Sequence, residues 1–386
     1  MKWLFFIGGF VYLYKLRYNQ KLLTCRTKGG ANIKRPISSI NHFYGNIKKI
    51  RKGLHKKTKL ITVGEWITYW YKTYKEPKHA ITTRPVQWTY INHHIIPNLG
   101  NKFMHKVETP DIQEFLNMLS ISGNKTKLKN SKLSGTALSA WTVKKIRALL
   151  VATFDVAIRE GYIQNNPVRE TEHIPVQTLR CAFFSPEQQD KFLKGTKNHR
   201  FHVAYQLLFN TGCRRSEILG LSWDCVNFKL CQIQIEKVLV NIDGKPVLKN
   251  YPKTKSSIRT IPLHPMIMKL LKEHKRKQAK EINNNPDWYN EYNLVFVNKD
   301  GSPHSPTYFL HNFKNAIKKL KLPKSLRVHS TRHTFATNLL QLGVPISDVQ
   351  SLGGWADTRV VLDIYAHAAP DSHRRAIKKL YEKRSH

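Results

Sequence analysis

Residues 327–336, Arg-Val-His-Ser-Thr-Arg-His-Thr-Phe-Ala, are the most informative stretch in this chain of 386 residues. His329 and Arg332 are three positions apart, so on a helix both side chains lie on one face. Phe335 begins the opposite side, which is predicted to be apolar and buried. Tyr365 follows about two helical segments later, in Asp-Ile-Tyr-Ala-His. An imidazole, a guanidinium and a phenol in one region suit a site that binds a phosphate group and attacks it.

A second informative block lies upstream, Thr-Gly-Cys-Arg-Arg-Ser-Glu-Ile-Leu at residues 211–219. Gly212 can end one helix or let the chain turn before the next. Arg214 is then expected in the first turn of the following helix, with Glu217 on the same face three positions later. Taken alone, such a pair is more typical of a surface ion pair, so the block gains meaning only together with residues 327–336.

In their order along the chain, the Thr-Gly-x-Arg-x-x-Glu block, the His-x-x-Arg-His block and the late tyrosine resemble the tyrosine recombinases, or phage-type integrases. The Leu-Gly-Leu-Ser-Trp-Asp that follows the first block fits this family too. The resemblance covers about residues 62–380 and is strongest toward integrases of conjugative transposons and phages of Gram-positive bacteria. It implies a mainly α fold with a small antiparallel sheet (α+β), in which a helical SAM-like core-binding domain precedes a tyrosine-recombinase catalytic domain.

The resemblance implies a catalytic set whose residue types suit attack on a phosphodiester. Arg214 and Arg332 suit the non-bridging oxygens, because a guanidinium offers a planar fork of donors. Tyr365 suits the nucleophile, because a phenol forms a phosphotyrosyl ester that keeps the bond energy, so no ATP is needed. His329 can accept the proton of the phenol or donate to the phosphate.

A lysine is expected to complete this set. In the family, the turn before the last strand of the small sheet delivers a lysine that can protonate the departing 5′ oxygen as a general acid. The matching stretch is Pro-Lys-Thr-Lys-Ser-Ser at 252–257. We assign the role to Lys253, with Lys255 as the alternative.

Two further residues are expected to support the site. Glu217 would orient the side chain of Arg214 or of His329 without contacting the phosphate itself. Trp355 stands in Leu-Gly-Gly-Trp, where many members of the family have Leu-Gly-His. An indole donates one hydrogen bond but cannot accept or transfer a proton, so Trp355 is predicted to act by positioning and packing.

The charge of the chain points to a polyanionic partner. There are 65 Lys and Arg against 25 Asp and Glu, giving a net charge of +40 and a pI of about 10.1. The five cysteines form no C-x-x-C pair, which favours a reducing compartment over a disulfide framework or a zinc module. His93 and His94 have no second group of ligands nearby in the sequence, and no P-loop motif occurs. We therefore expect neither a metal nor a cofactor.

The basic N-terminal segment, residues 1–61, contains no acidic residue. It is interpreted either as an arm-site DNA-binding domain or as a disordered basic tail that raises DNA affinity without specificity. Residues 3–14 are apolar, but twelve residues are too few to cross a bilayer of about 30 Å as a helix. Lys2 before this run leaves a signal peptide open, although no Ala-x-Ala site follows. We expect strand or helix here and no membrane association.

Three further divisions follow along the chain. Residues 62–168 show helical periodicity and are interpreted as the core-binding DNA domain. Residues 169–184 contain Pro175 and no periodicity, which predicts an extended linker. Residues 185–386 are interpreted as the catalytic domain, which opens with Ser185 as an N-cap and proline at the first helical position.

Strand patterns within the last division predict a small antiparallel sheet. Residues 231–235 and 257–261 alternate at period two, and residues 241–245 can form a turn between strands. A further strand is predicted at 294–297, Leu-Val-Phe-Val.

These observations predict a site-specific DNA recombinase or integrase that cleaves and rejoins strands through a 3′-phosphotyrosyl intermediate and integrates or excises a mobile element. One alternative is a type IB topoisomerase-like enzyme, which relaxes DNA as a monomer. The other is a non-catalytic architectural DNA-binding protein. The helical domain ahead of the catalytic residues favours the recombinase, and the intact set of arginines, lysine, histidine and tyrosine disfavours the architectural protein.

The resemblance also implies partners. They are double-stranded DNA attachment sites, three further copies of the chain in a homotetramer on DNA, and accessory proteins such as an excisionase or a DNA-bending protein. The expected location is the bacterial cytoplasm, on nucleoid DNA.

Overall fold

The computed structural model describes the backbone of four strands within residues 2–36. It then describes residues 60–124, 135–176, 182–242, 244–250 and 258–366. In the last of these ranges, the side chains are described as far as residue 362. The chain divides into two compact units. One contains Met1–His79 and Val86–Val176, and the other contains Ala80–Pro85 and Gln177–His386. The fold class is the predicted one, mainly helical with small antiparallel sheets.

Four strands at the N-terminus form one antiparallel sheet in sequence order, and they are β1 (Lys2–Ile7), β2 (Phe10–Lys15), β3 (Leu22–Arg26) and β4 (Asn32–Pro36). β1 and β2 form a hairpin in which Ile7 pairs with Phe10 and Lys2 with Lys15. Within the apolar residues 3–14, for which strand and helix were both open, residues 3–7 therefore lie in β1 and residues 10–14 in β2. In the parts of the chain that the structure describes, no helix has the length and apolar character needed to cross a membrane.

From residue 60 onward, the described part of the first unit is mainly helical. Its helices are α1 (Val63–Trp70), α2 (Arg84–Tyr90), α3 (Ile96–Leu99), α4 (Thr109–Ser122) and α5 (Ala140–Arg159). Short π-helical turns continue α1 through Tyr71–Lys75 and join α2 to α3 through Ile91–Ile95. These helices account for the helical periodicity predicted for residues 62–168. Ser139 sets the start of α5, because its hydroxyl accepts a hydrogen bond from the N–H of Thr142.

Buried aromatic residues hold this helical unit together. Trp66 and Trp70 on α1 are fully buried, and the indole of Trp66 donates to the carbonyl of Thr153 on α5 at 3.1 Å. Because an indole that is buried needs a partner for its N–H, this bond fixes how α1 lies against α5.

The helices of the second unit are α6 (Pro186–Gly195), α7 (His202–Thr211), α8 (Arg215–Leu219), α9 (Pro265–Asn283), α10 (Pro306–Lys319), α11 (Val328–Gln341), α12 (Ile346–Gly353) and α13 (Thr358–Ala366). α6 starts as predicted, with Ser185 accepting from the N–H of Gln188 and Pro186 at the first position. The main core contains a group of packed aromatic rings, among which those of Phe192 and Phe313 are 4.8 Å apart between centroids. A smaller apolar cluster contains Phe335, Ala336, Leu340, Val349, Trp355 and Val361.

Two small sheets complete the second unit. β5 (Val226–Asn227), β6 (Gln232–Ile235) and β9 (Arg259–Pro262) form one sheet, and β7 (Lys237–Ile242) pairs with β8 (Lys245–Asn250) in a hairpin. β6 and β9 are antiparallel, with Ile233 opposite Ile261 in the buried layer. The strands predicted at 231–235 and 257–261 correspond to β6 and β9, with their ends moved by one or two residues. Residues 241–245 lie where β7 leads into β8, a pair of strands that the sequence analysis did not predict.

The strand predicted at 294–297 is wrong. Leu294 bridges Ser222, and Val297 bridges Pro303, as isolated pairs without a ladder. The four residues are fully buried, so their apolar run reflects packing into the core rather than membership of a sheet.

Candidate active site

The connection between α7 and α8 positions the first arginine. Gly212 ends α7 with φ of +61°, a left-handed conformation that favours glycine. A Cβ at this position would lie 2.4 Å from the ring of Phe335 on α11, so glycine is also needed for the close approach. Arg214 follows in an extended conformation as the N-cap of α8, one position before the first turn where it was expected.

Glu217 and Arg214 form an ion pair whose carboxylate is buried. Nη1 of Arg214 donates to Oε1 of Glu217 at 2.7 Å, and the backbone N–H of Arg214 donates to Oε2 at 2.9 Å. The side chain of Glu217 has no exposed surface, whereas that of Arg214 is 39% exposed. Glu217 therefore holds Arg214 from behind and leaves part of the guanidinium open to solvent. Its predicted orienting role is consistent with this contact and involves Arg214 rather than the histidine.

Arg332 on α11 is buried beside the same segment. Its Nη1 donates to the carbonyl of Gly212 at 2.6 Å and to the carbonyl of Gly353 at 2.5 Å. Burial, and then the positive charge of Arg214, lowers the pKa of Arg332 to about 9. The buried Nη2 has no hydrogen-bond partner among the described residues. It is therefore an unsatisfied donor in the interior of the site.

The end of α12 brings the two arginines together. Gly353 accepts from Arg332, and the next carbonyl, that of Gly354, accepts from Nη2 of Arg214 at 3.2 Å. Gly354 is left-handed, with φ of +69°, which lets the chain turn back at this point. Two guanidinium groups that are far apart in the sequence are thus bound to successive carbonyl groups.

Trp355 forms the apolar wall of this arrangement. Its ring lies under the guanidinium of Arg332, with 3.7 Å between Cζ and the ring centroid. This is the geometry of a cation–π contact. A Cβ at Gly353 would overlap the indole, so the Gly-Gly pair is what lets Trp355 fold under the turn. The contact is consistent with the positioning role predicted for Trp355.

His329 lies at the accessible edge of the site. It is on the same side of α11 as Arg332, as the spacing predicted, and its ring packs edge-on against His333 with 4.7 Å between centroids. Burial of part of the ring, and then the positive charges of Arg332 and Arg214, lowers the pKa of His329 below its ordinary value. The imidazole is therefore neutral at neutral pH and can accept a proton.

A cavity of about 280 Å³ opens beside these residues. Its lining residues come from the start of α8, from α10 and from the start of α11, and they are Cys213, Arg214, Arg215, Ser216, Leu310, Val328 and His329. Arg214 and His329 thus face the same space.

The remaining predicted residues are described only in part. Tyr365 lies in α13, whose Val361 is buried in the cluster that contains Phe335 and Trp355, but its side chain is outside the described residues. Lys253 and Lys255 lie outside them altogether, between β8 and β9. Within the described ranges, no group of three or more His, Cys, Asp or Glu residues could hold a metal ion.

Sequence reasoning missed Arg259, the first residue of β9. Its Nη2 donates to Oε2 of Glu217 at 2.8 Å, and its side chain is 7% exposed. A signal was present, since Arg259 and the buried Ile261 are two residues apart and therefore on one face of a strand. The alternation placed an arginine on the inner face, where a charge requires a partner.

Two family descriptions match the chain. The Phage integrase family matches residues 183–372, and the phage integrase N-terminal SAM-like domain matches residues 62–120. A tyrosine recombinase XerC-like protein of Caldanaerobacter subterraneus subsp. tengcongensis is 27% identical over 368 residues, covering 88% of this chain and 90% of that protein. The ICEBs1 integrase of Bacillus subtilis is 28% identical over 250 residues, covering 64% and 67%. The transposase from transposon Tn916 of Enterococcus faecalis is 26% identical over 302 residues, covering 73% and 72%.

Solved structures share the fold. The Tn1549 transposon integrase, in complex with transposon right end DNA, has a TM-score of 0.67 at 23% identity and covers 83% of this chain and 100% of that one. A lambda integrase tetramer bound to a Holliday junction has a TM-score of 0.54 at 17% identity, with 89% and 96% covered.

Proposed function

The chain belongs to the phage integrase family of tyrosine recombinases, and from this we propose that it integrates or excises a mobile DNA element by site-specific strand cleavage and rejoining. The observation that carries the proposal is the pairing of Arg214 and Arg332 on the carbonyl groups of Gly354 and Gly353. Two guanidinium groups held in this way can bind both non-bridging oxygens of one phosphodiester, whose negative charge grows in the transition state.

The proposed reaction begins with attack by Tyr365. Its phenolic oxygen forms a bond to phosphorus, and the bond from phosphorus to the 5′ oxygen breaks. The phenolic proton passes to the neutral imidazole of His329, and Lys253, or Lys255 as the alternative, gives a proton to the departing 5′ oxygen. The product is a 3′-phosphotyrosyl ester and a free 5′ hydroxyl. Attack by the 5′ hydroxyl of another strand reverses these steps and rejoins DNA without an added energy source.

Trp355 takes no proton in this scheme. Its contact with Arg332 fixes the plane of the guanidinium and keeps water from that side of it. Glu217 supports Arg214 in the same way through its two hydrogen bonds.

The other divisions of the chain are proposed to act on DNA outside the reacting phosphate. Residues 62–168 would bind the core site, 169–184 would link them to the catalytic domain 185–386, and 1–61 would bind arm sites or add non-specific affinity. The net charge of +40 supports binding to a polyanion over an extended surface. The proposed substrate is a pair of double-stranded attachment sites.

The proposed assembly on DNA is a homotetramer, in which the strand exchange passes through a Holliday junction. The lambda integrase tetramer bound to such a junction supports it, as a relative of the same fold. An excisionase or a DNA-bending protein would act as the accessory partner. The relatives named above come from bacteria, which supports a bacterial cytoplasm with the enzyme on nucleoid DNA.

Covalent capture of DNA tests the proposal. Wild-type protein and Tyr365→Phe are incubated with fragmented DNA that carries the mobile element and its junctions, and the protein–DNA adducts are isolated under denaturing conditions and sequenced. We expect adducts at one position on each strand of an attachment site with the wild type. Tyr365→Phe should give none but bind DNA normally, because only the attacking oxygen is removed. The matched control is Tyr289→Phe, at a tyrosine that is 69% exposed.

An adduct of undiminished yield with Tyr365→Phe would rule out this nucleophile. Relaxation of plasmids that lack attachment sites, without recombination between two sites, would favour the topoisomerase alternative. DNA binding without any adduct would favour the architectural alternative.

A further inference from the structure

Arg259 connects three elements behind the proposed active site. Besides its bond to Glu217, its Nε donates to the carbonyl of Leu352 on α12 at 2.8 Å. A Cβ at Gly354 would lie 2.8 Å from its Nη1, so the turn that follows α12 packs directly on the guanidinium. Arg259 does not line the cavity that Arg214 and His329 face. Its side chain is 7% exposed and bonds to Glu217 and Leu352, so it acts on the site through these residues.

The buried carboxylate of Glu217 poses an electrostatic problem for Arg214. A carboxylate removed from water attracts the nearest cation strongly. If Arg214 were the only cation beside Glu217, the carboxylate would cancel much of the positive electrostatic potential of the Arg214 guanidinium. Less would remain for the oxygens of a phosphate on its exposed side.

The second cation changes this balance. Arg259 lies 2.8 Å from Oε2 of Glu217, and Arg214 lies 2.7 Å from Oε1. The nearby thiol of Cys213, whose pKa burial raises to about 12, is neutral and adds no charge. Among the described residues around Glu217, the cations Arg214, Arg259 and Arg332 and this one carboxylate sum to a charge of +2. Arg214 and Arg332 both donate to carbonyl groups at the end of α12.

We propose that Arg259 is a positioning residue that offsets the charge of Glu217, so that the carboxylate holds Arg214 in place without cancelling its charge toward the phosphate. The inference rests on the proposed function, since it explains how the arginine pair retains its charge. It also assigns Arg259 a role in bracing the turn after α12, to which both arginines donate.

A charge-compensation test separates this role from simple packing. The variants are Arg259→Gln, Glu217→Gln and the double variant. The probe is a nicked duplex of the site mapped by adduct sequencing, with the scissile phosphate either normal or replaced by an uncharged methylphosphonate. The measurements are the single-turnover rate of adduct formation and, separately, the Kd for DNA.

Arg259→Gln should slow adduct formation by about 100-fold, the size of effect seen when one transition-state donor is removed, with Kd changed by less than about threefold. Glu217→Gln in the same chain should restore the rate by at least about tenfold, because it removes the charge that Arg259 offset. On the methylphosphonate the defect of Arg259→Gln should shrink to about tenfold or less, because the uncharged centre makes a smaller demand on Arg214.

Folding is controlled with two further proteins. Arg200→Gln is the matched control, since Arg200 forms a comparable ion pair with Glu281, at 2.7 and 2.9 Å, away from the site. It should cleave like the wild type per folded molecule. If Arg259→Gln does not fold, Arg259→Lys and the double variant replace it. Both keep the charge balance and should cleave within about tenfold of the wild-type rate.

Three results would overturn the inference: a double variant no faster than Arg259→Gln, an equal defect on both substrates, or an equal loss in Arg200→Gln. If Arg259→Lys and the double variant are the proteins tested, folded forms of both that cleave about 100-fold slower would overturn it too. Absence of adducts with the wild type would instead refute the proposed function itself.

Discussion

At this site, side chains of the same type differ in exposure and charge because their surroundings differ. His329 and His333 are both on α11, one turn apart, yet His329 reaches the cavity and His333 is buried. Likewise, Arg214 keeps part of its guanidinium exposed, whereas Arg332 is enclosed. Each environment determines which proton or charge the residue can offer.

The general acid can be identified with a substrate whose bridging 5′ oxygen is replaced by sulfur. A thiolate departs without being protonated, so this substrate should restore cleavage by the variant that lacks the acid. We expect rescue of Lys253→Ala and not of Lys255→Ala, measured as the initial rate of adduct formation. Rescue of Lys255→Ala alone would reverse the assignment, and rescue of neither would remove both lysines from this role.

His333 should make the protein less stable in mild acid. Burial, and then the charges of His329 and Arg332, lowers its pKa from 6.5 to about 4 in the folded state. As the pH falls below 6.5 the unfolded chain binds the proton first, so the free energy of unfolding decreases until the pH reaches about 4. Between pH 7 and pH 5 this contribution amounts to about 2 kcal/mol.

The check is a set of urea unfolding curves at several pH values. Over that interval, His333→Phe should lose about 2 kcal/mol less stability than the wild type. His311→Gln, at an exposed histidine, serves as the control and should follow the wild type. Parallel curves for His333→Phe and the wild type would contradict the prediction.

At the scale of elements, the ends of helices do the positioning. Arg214 is placed by the end of α7 and the start of α8, and Arg332 and Arg214 both depend on the end of α12. Helix ends carry unpaired carbonyl groups, and at α12 three such groups accept from arginines. The site is therefore sensitive to changes in the turns even where no catalytic side chain is altered.

Gly212→Ala should destabilise the protein and slow cleavage together. A left-handed conformation costs alanine about 1–2 kcal/mol, and the clash with Phe335 should add about 1–3 kcal/mol. The shift would also move the carbonyl group that accepts from Arg332. Urea unfolding and single-turnover cleavage measure the two effects.

Gly343→Ala is the matched control for this change. Gly343 is also left-handed, with φ of +84°, but a Cβ there would meet no atom within 4 Å. It should show the conformational cost alone and a normal cleavage rate per folded molecule. Equal losses in the two variants would mean that contact with Phe335 contributes nothing.

At the scale of the whole molecule, positive charge is spread far beyond the site. Residues 1–60 contain basic residues and no acidic residue, and the strands β1 to β4 lie between residues 2 and 36. The residues that form the candidate site all lie after residue 200. A chain without this segment should therefore bind DNA less tightly but keep the ability to cleave it.

Deletion of residues 1–59 should weaken DNA binding and flatten the dependence of log Kd on log salt by about 0.9 for each phosphate group that the shortened chain no longer binds. The shortened protein should still cleave a short core-site duplex at high concentration. If the segment is an arm-binding domain, recombination between full-length sites should be abolished. If it is a basic tail, low salt or more protein should restore recombination. Unchanged affinity and salt slope would contradict both versions.

The sequence by itself determined the features that depend on neighbours along the chain. The spacing of Arg214 and Glu217 predicted their contact, although Arg214 is the N-cap of α8 and the contact is a capping interaction rather than one between two helical positions. Ser185 likewise predicted where α6 begins, because its hydroxyl accepts from a backbone N–H three positions later. The family and the fold class also followed from the order of short blocks.

Tertiary structure alone decided how distant residues meet. The stacking of Trp355 on Arg332, the shared turn at Gly353 and Gly354, and the position of Arg259 behind Glu217 join segments that no local periodicity relates. The same cause explains the wrong strand at 294–297, where an apolar run is buried by packing without sheet pairing. Contacts between elements depend on how whole cores pack, and a short stretch of sequence does not contain that information.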